Sequence, residues 1–250
     1  MQVFIGVVSH GHGKLIKELS CLAHLSKTFN VVIKSNMMGD SLEELISDNN
    51  QAHWLDSQYG RGFAENNNII FKHCIESLGM TDEDIFVVLN PDVVIKGDEL
   101  SVLTRRMSEH DIKMSCINLY KDIDYTFYDN SIRHFPTLKQ FIKSFLLGKN
   151  DSIIDKSFID EPLEVDWAAG SFLAFKSGHY KSLGGFDDKY FMYCEDIDIC
   201  YRSKKNGVHL MYFPDVKAIH LAQHKNRNIL SKHFYWHIKS VIRFLLLTYK

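Results

Sequence analysis

The sequence has little net charge, few prolines and no long apolar run. Its 29 basic and 31 acidic side chains leave a formal charge of −2, which gives no reason to expect nucleic acid as a partner. No apolar run reaches the roughly 18 residues that a membrane-spanning helix needs, and no basic segment precedes the short apolar stretch at the amino terminus. We therefore expect a cytoplasmic protein without a spanning helix or a signal peptide.

Cysteines are scattered, and no two have the CxxC spacing of a zinc or redox motif. Their distribution predicts reduced, buried thiols rather than a disulfide framework. The hydrophobic content of 45% over 250 residues is enough for the core of one domain. The five cysteines are Cys21, Cys74, Cys116, Cys194 and Cys200.

Strand-like apolar runs alternate with helix-like periodic segments along the chain. Parallel strands need crossover connections, so this alternation predicts an α/β fold, with a mostly parallel sheet flanked by helices. Residues 120–164 lack a regular pattern and are expected to form loops and a mobile helix, with 141–147 as its apolar part. The predicted strands are 3–9, 29–33, 85–89, 113–119, 171–175 and 209–213, and the predicted helices are 15–25, 41–46, 63–78, 98–107 and 194–206.

Asn90-Pro91-Asp92 directly follows the apolar run at 85–89. Proline fixes the backbone as the chain leaves the strand, so the carboxylate of Asp92 is expected at the carboxyl edge of the sheet, where α/β folds bind ligands. A carboxylate there suits Mg²⁺ or Mn²⁺ bound together with substrate phosphates. The alternative for this short motif is a helix-capping or turn aspartate.

Glu195, Asp196 and Asp198 form an acidic cluster at the start of a predicted helix. The helix dipole is enough to stabilise such acids, so they need no ligand. The spacing of Asp198 and Arg202 also fits an ordinary i, i+4 ion pair. Three crowded carboxylates nevertheless raise the pKa of at least one of them, which gives a usable general base. Upstream, a turn at Gly60-Arg61-Gly62 precedes a helix whose first N–H groups could receive a diphosphate.

Seven segments together resemble the family 2 glycosyltransferases of GT-A fold, and among them the bacterial rhamnosyltransferases of O-antigen assembly. Their acceptor is N-acetylglucosamine linked to a polyprenyl diphosphate. The resemblance spans nearly the whole chain, and no single segment would suffice. The segments are VVSHGH, GRGFAENNNIIF, VVLNPDVVIKGDEL, RHFPTLKQFIKSFLLGKN, DWAAGSFLAF, GGFDDKYFMYCEDIDICYR and AIHLAQHKNR.

The resemblance implies a role for each matching residue. Asp92 takes the place of the metal-binding motif, His220 is a further metal or diphosphate contact, and Asp196, beside Glu195, is the catalytic base. Many members carry an aspartate directly after the second strand, where this chain has Lys34-Ser35-Asn36, and Asp40 is the one acid nearby. The implied donor-binding residues are Ser9, His10, Asn36, Arg61, Gly62, Asn67, Asp92 and Arg202, and the acceptor-binding residues are Trp167, Ala169, Gly170 and Asp198.

The resemblance also implies the reaction and its setting. The enzyme would move a sugar, L-rhamnose from dTDP-L-rhamnose, to the lipid-linked acceptor with inversion, at the cytoplasmic face of the inner membrane. A GT-A domain would occupy residues 1–225, with a nucleotide-sugar part at about 1–119 and an acceptor part at about 120–225. The first alternative is a family 2 transferase for another nucleotide sugar. Two other classes remain: a nucleotidyltransferase, for which the first turn is a poor match, and a catalytically silent carbohydrate-binding protein, which would not need the acids.

Residues 226–250 have the pattern of an amphipathic helix. Its cations could lie near anionic lipid headgroups, with the helix in the membrane interface. The alternative is a terminal helix that docks its apolar face on the domain core. On a helical wheel Lys232, Lys239, Arg243 and Lys250 lie on one side, and Leu230, Phe234, Ile238, Val241 and Leu245 lie on the other.

Overall fold

The computed structural model describes residues 1–47, 51–137, 140–141, 151–222 and 232–248. The predicted α/β architecture is confirmed. The strands are β1 (Val3–Ser9), β2 (Asn30–Ser35), β3 (Ala52–Leu55), β4 (Ile85–Leu89), β5 (Val93–Ile95), β6 (Met114–Tyr120), β7 (Ile132–Arg133), β8 (Leu163–Val165), β9 (Trp167–Ala168), β10 (Phe172–Lys176) and β11 (Leu210–His220). The helices are α1 (Gly13–Leu19), α2 (Cys21–Leu25), α3 (Glu43–Ser47), α4 (Phe63–Leu78), α5 (Gly97–Glu109), α6 (Ser177–Ser182), α7 (Glu195–Lys205) and α8 (Lys232–Thr248).

One mixed sheet organises the described residues, in the order β3-β2-β1-β4-β10-β6-β11-β5, with β8 also paired to β11. The first four strands are parallel to one another, and β11 is parallel to β6. Strand β10 runs antiparallel between β4 and β6. The chain returns to the sheet from the carboxyl edge after the excursion that follows β6, so it enters β10 in the opposite direction.

Alternating side chains of the strands build one apolar layer on each face of the sheet, as the two-residue period of a strand requires. Phe86 and Val88 of β4 face the layer that α4, α6, α7 and α8 cover. Val87 and Leu89 face the layer that α1, α2 and α5 cover. The five cysteines are all buried and unpaired, as predicted.

The elements with the strongest local pattern match the prediction to the residue. These are β1, α4 and β4. The predicted helix across 15–25 is wrong, because Ser20 adopts a left-handed conformation (φ 54°) and divides the segment into α1 and α2. Five strands are missing from the prediction, namely β3, β5, β7, β8 and β9. Most of the apolar segment 141–147 lies outside the described residues.

Helix α8 docks on the same apolar layer as α7. Val241 and Phe244 are buried there, and Phe244 packs edge-on against Tyr201 of α7. Arg243 pairs with Asp187 instead of reaching solvent, and its guanidinium lies over the ring of Tyr190. Docking on the core therefore accounts for one face of the helix. Within the described ranges, no helix has both the length and the apolar character needed to cross a membrane.

Candidate active site

The predicted site residues gather at one edge of the sheet because several strands end or begin there. Strands β1, β2 and β4 are parallel, so Ser9, Asn36 and Asp92 follow neighbouring carboxyl ends. Strand β11 runs parallel to β6 and brings His220 to the same edge. The antiparallel β10 starts at this edge, two residues after Gly170. Open α/β sheets bind ligands at this edge.

His220 lies between two carboxylates. Its Nδ1 is 2.7 Å from Oδ2 of Asp129, and its Nε2 is 3.5 Å from Oδ1 of Asp92. The side chains of His220, Asp92 and Asp129 are only 14%, 20% and 16% exposed. The backbone strengthens the arrangement, because the N–H of Leu221 donates to the carbonyl of Asp92 at 3.0 Å.

This arrangement favours the charged form of each of the three groups. Burial alone would lower the pKa of His220, but the hydrogen bonds and charges of Asp129 and Asp92 outweigh it and raise the pKa to about 9. Burial would likewise raise the pKa values of Asp92 and Asp129, and His220 lowers both. His12 adds a smaller favourable charge at Asp92, which places the turn after β1 close to this cluster.

Asp92 and His220 fit a divalent cation that also binds substrate, and His220 would lose its Nε2 proton when that ion binds. Their facing atoms, 3.5 Å apart, have the separation expected of two ligands that each lie about 2.1 Å from one ion. Asp129 holds Nδ1, so Nε2 is the nitrogen directed toward Asp92; metal-binding histidines are usually oriented by such a carboxylate. Among the described residues, no group of three or more histidine, cysteine or acidic side chains forms a complete metal cage. An ion here would therefore take its other ligands from diphosphate and water.

Asp196 is held by main-chain amides in the first turn of α7. The N–H of Gly170 donates to Oδ2 at 3.1 Å, and the N–H of Ile197 donates to Oδ1 at 2.9 Å. Burial raises the pKa of Asp196, while these amides and the charge of Arg133 oppose the rise. The half-buried carboxylate thus has a fixed orientation and a basicity above that of an ordinary aspartate.

Glu195 differs sharply from its neighbour. It is buried, and its Oε2 has no hydrogen-bond partner. Burial and the adjacent Asp196 raise its pKa well above the ordinary value, which favours the neutral form of Glu195. A neutral Glu195 leaves Asp196 without a second negative charge beside it.

The backbone turns sharply just before these two acids. Tyr193 and Cys194 both have positive φ angles, 72° and 64°, which non-glycine residues rarely adopt. Two consecutive left-handed residues place Glu195 and Asp196 directly in the first turn of α7 without a side-chain cap. Strain of this kind often occurs at functional sites.

The predicted donor-side residues form a connected cluster at the ends of β1 and β2. Asn36 accepts from the N–H of Arg61 at 2.8 Å and donates to the Arg61 carbonyl at 2.9 Å, so it fixes the turn that carries this arginine. Its amide is also 3.5 Å from Nδ1 of His10. Ser9 is buried, and its hydroxyl accepts from the N–H of His12 at 3.1 Å. Arg61 remains exposed beside Glu65.

Gly62 joins the donor-side turn to the catalytic segment. A Cβ atom at this position would lie 2.4 Å from the carbonyl oxygen of Phe191, so only glycine fits. The N–H of Phe63 donates to that same carbonyl at 3.0 Å. The structure does not bring Asn67 to this surface: the residue is 1% exposed, and its amide donates to the carbonyl of Phe63 inside α4.

Asp40 does not take the place of the aspartate that the resemblance leads us to expect after the second strand. It is buried and accepts from the N–H of Gly13 at 3.0 Å, so it fixes the start of α1. Lys34, which is also buried, donates to the carbonyls of Ser57 and Gln58 at 3.0 and 3.1 Å. These contacts hold the loop before Arg61.

The predicted acceptor-side residues from β9 to β10 lie beside Asp196. Gly170 contacts it directly through its N–H, and the N–H of Ala169 donates to the carbonyl of Ser131. Trp167 is buried, and its indole N–H donates to the carbonyl of His134 at 3.0 Å, with Arg133 over its ring. Trp167 therefore supports the strand, and its ring is covered by protein.

Asp198 and Arg202 form the internal ion pair that their spacing allows. Asp198 is 1% exposed and accepts from Arg202 Nε at 2.7 Å. The other guanidinium nitrogens donate to the carbonyls of Leu183 and Gly185 at 2.6 and 2.9 Å. The prediction that Asp198 binds acceptor and Arg202 binds donor is therefore not supported by their position, because both groups point into the protein.

The sequence does not single out three residues of the site. Asp129 and Arg133 lie in the stretch without a regular pattern, and His12 has the appearance of a turn residue. A carboxylate partner for His220 could have been sought among the acids of residues 120–164, but the sequence does not distinguish Asp129 from Asp122 or Asp124.

Sequence comparison places this geometry in a known group, although no family model matches the chain. The chain is 37% identical to Rhamnosyltransferase WbbL of Escherichia coli (strain K12), over 97% of this chain and 92% of that protein. It is 29% identical, over 65% of its length and 55% of the relative, to an N-acetylglucosaminyl-diphospho-decaprenol L-rhamnosyltransferase of Mycobacterium tuberculosis (strain ATCC 25618 / H37Rv). It is 22% identical, over 86% of its length and 65% of the relative, to Low-salt glycan biosynthesis hexosyltransferase Agl10 of Haloferax volcanii.

Solved structures agree on the fold. GalNAc-T7, crystallised with UDP, GalNAc and Mn²⁺, matches 97% of this chain with a TM-score of 0.63 at 14% identity, and the chain spans 47% of that protein. Staphylococcus aureus TarS 1–349 with UDP-GlcNAc matches 99% with a TM-score of 0.62 at 13% identity, over 66% of that chain. With a relative at 37% identity over almost its whole length, the chain belongs to the rhamnosyltransferase family of WbbL and is a glycosyltransferase of GT-A fold.

Proposed function

We propose that this enzyme transfers L-rhamnose from dTDP-L-rhamnose to N-acetylglucosamine linked to a polyprenyl diphosphate, in O-antigen assembly. The proposal rests on the similarity to WbbL and on the name of the mycobacterial relative, which specifies a diphospho-decaprenol acceptor. The observation that carries it is the meeting of two sets of groups at one sheet edge. These are the Asp92–His220 pair, suited to a diphosphate with its cation, and the oriented carboxylate of Asp196.

In the proposed mechanism Asp196 is the general base. It accepts the proton of the acceptor hydroxyl while that oxygen attacks the anomeric carbon. The bond from this carbon to the nucleoside diphosphate breaks on the opposite face, so the configuration inverts. The main-chain amides of Gly170 and Ile197 keep the carboxylate aimed during the transfer. Family membership sets aside a nucleotidyltransferase and a catalytically silent binding protein.

Asp92 and His220 are proposed to hold Mg²⁺ or Mn²⁺, and Asp129 is proposed to orient His220. When bound, the cation supplies charge neutralisation for the departing diphosphate. Ser9, His10, Asn36 and Arg61 are proposed to bind the donor. Of these, Arg61 has its guanidinium at the surface, where it can reach a phosphate.

We further propose that the enzyme works on the cytoplasmic face of the inner membrane, because a polyprenyl-linked acceptor is confined there. The division of the domain into a nucleotide-sugar part at about 1–119 and an acceptor part at about 120–225 remains a proposal. Its support is that the donor-side cluster comes from β1, β2 and α4, while Gly170 and Asp196 come from the later segment.

A panel of nucleotide sugars with a synthetic N-acetylglucosaminyl-diphospho-lipid tests the proposed function, with and without EDTA. The expected result is transfer from dTDP-L-rhamnose at least tenfold faster than from any other donor, and loss of transfer with EDTA that Mg²⁺ or Mn²⁺ restores. Preference for another donor would overturn the sugar assignment. Full activity in EDTA would overturn the metal assignment.

A further inference from the structure

Helix α8 exposes a second apolar face, opposite the face that docks on the core. Tyr235, Ile238, Ile242 and Leu246 recur at spacings of three and four residues, so they form one line along the helix. They are 66%, 36%, 54% and 65% exposed. We call these four residues the outer strip. It extends for about 16 Å at a rise of about 1.5 Å per residue.

An outer strip of this composition is unusual for a helix on a protein surface. Such a helix normally buries one apolar face and presents charged or polar residues to water. Here Val241 and Phe244 already supply the buried face. Lys239, next to Ile238, is the one lysine, arginine or acid among the exposed side chains that the structure describes on α8. The apolar residues of the strip therefore indicate a surface that another apolar phase covers.

The charge of the surrounding segment identifies that phase. Residues 221–250 contain six lysines and arginines and no aspartate or glutamate. One of the six, Arg243, is paired with Asp187 of the domain. The other 23 basic and 31 acidic side chains leave residues 1–220 with a formal charge of −8. A cationic segment with an apolar strip and flanking aromatic residues has the chemistry that binds at the surface of an anionic bilayer. A symmetric pair of chains joined through this strip would instead bring the two copies of Lys239 together.

The docked side of α8 connects the outer strip to the catalytic segment. Trp236 packs on Phe191, with ring centroids 4.6 Å apart, and Ser240 donates to the carbonyl of Met192 at 2.9 Å. The hydroxyl of Tyr193 is 3.1 Å from Nδ1 of His233. These contacts fall on the three residues that lead to Cys194 and the acids of α7. Any surface that binds the outer strip therefore lies next to the start of α7, the helix that carries Asp196.

We propose that the outer strip inserts into the headgroup boundary of an anionic membrane and docks the enzyme there. Ile242 and Leu246 enter the apolar layer, and Lys239 remains at the level of the headgroups. The strip's use in presenting a lipid-linked acceptor to Asp196 rests on the function proposed above. Its binding to lipid does not, so the two can fail separately.

Vesicle binding tests the proposal with the full chain. Wild type, the double variant Ile242→Ser/Leu246→Ser and a control, Ile123→Ser/Phe127→Ser, are mixed with vesicles of phosphatidylethanolamine and phosphatidylglycerol, or of phosphatidylcholine alone. The control removes two apolar side chains of similar exposure, 77% and 67%, from the loop after β6. We expect wild type and control to bind the anionic vesicles, and the strip variant to bind at least about tenfold more weakly.

Two further measurements separate the outcomes. Equal thermal unfolding midpoints show that the strip variant is folded, and transfer to a short-chain, water-soluble acceptor is expected to match wild type. The proposal would be overturned if the wild type did not bind anionic vesicles. It would also be overturned if the strip variant bound them as well as the wild type does. The proposal would also be overturned if the wild type sedimented as a dimer and the strip variant as a monomer, because a second copy of the chain would then cover the strip. Absence of transfer by wild type would count against the proposed function alone.

Discussion

Asp129 accepts a 2.7 Å hydrogen bond from Nδ1 of His220 across 91 positions of sequence, and thereby directs the other ring nitrogen at Asp92. The contact joins the loop after β6 to the end of β11, the neighbouring parallel strand. A carboxylate behind a histidine fixes the ring's orientation and makes it a better ligand. Asp129 is thus a positioning residue for Asp92 and His220, the two residues that are proposed to hold the cation.

Asp129→Asn should weaken cation binding more than it weakens the fold. The amide can still accept from Nδ1, but it lacks the charge that supports His220. We expect the affinity for Mn²⁺, measured by calorimetry with a nucleoside diphosphate present, to fall about 10-fold to 100-fold. Asp124→Asn, an exposed acid of the same loop, is the matched control and should bind Mn²⁺ like wild type. Unchanged affinity in Asp129→Asn would remove this role.

Asp196→Asn and Glu195→Gln should separate the two adjacent acids. Asp196→Asn removes the base and should reduce kcat by about 10²-fold to 10⁴-fold. Its donor affinity, measured by calorimetric titration, should stay within about twofold of wild type. Glutamine resembles the protonated form of Glu195, so Glu195→Gln should keep most of the activity. A Glu195→Gln enzyme as inactive as Asp196→Asn would show that Glu195 reacts as a charged group.

Arg133 should set the pH at which Asp196 works. The base acts when ionised, so the rate rises with pH through the pKa of Asp196, which burial raises and Arg133 opposes. Arg133→Met removes the opposing charge, so the acidic limb of the kcat/KM profile should move to higher pH. Arg133→Lys keeps the charge and should leave the limb close to that of wild type. A limb that stays in place in Arg133→Met would contradict the assignment.

Arg202→Ala should damage stability rather than donor binding. It leaves the carboxylate of Asp198 buried without its cation and frees the carbonyls of Leu183 and Gly185. Loss of one partner of a buried pair costs about 3–5 kcal/mol of unfolding free energy, measurable in urea. The KM for donor in the folded enzyme should stay the same. A raised KM with unchanged stability would return Arg202 to the donor site.

The sequence predicts those parts of the molecule that local pattern determines. Apolar spacing places α4 and β4 to the residue because the period of a helix or strand is a local property. Strand β5, three residues that follow β4 almost directly, is too short to show a period. Ser20 has no turn signature, so the break between α1 and α2 comes from packing on either side of it.

The site residues also fall into two groups, those that local pattern predicts and those that depend on which elements are neighbours. Asp92 and Asp196 stand out because each follows or begins a recognisable element. Asp129 does not, since its contact with His220 depends on β6 and β11 being neighbours in the sheet. The spacing of Asp198 and Arg202 fits both an ion pair and a ligand site, and only their burial decides between the two.

The antiparallel entry of β10 has a consequence for how the base is aligned. Because that strand begins at the site, it offers Asp196 the peptide N–H of Gly170 rather than a side chain, and Ile197 offers a second peptide N–H. Alanine substitution leaves both N–H donors in place, so it does not test this alignment directly. Replacing either peptide link with an ester, which lacks the hydrogen, is the change that would expose this alignment.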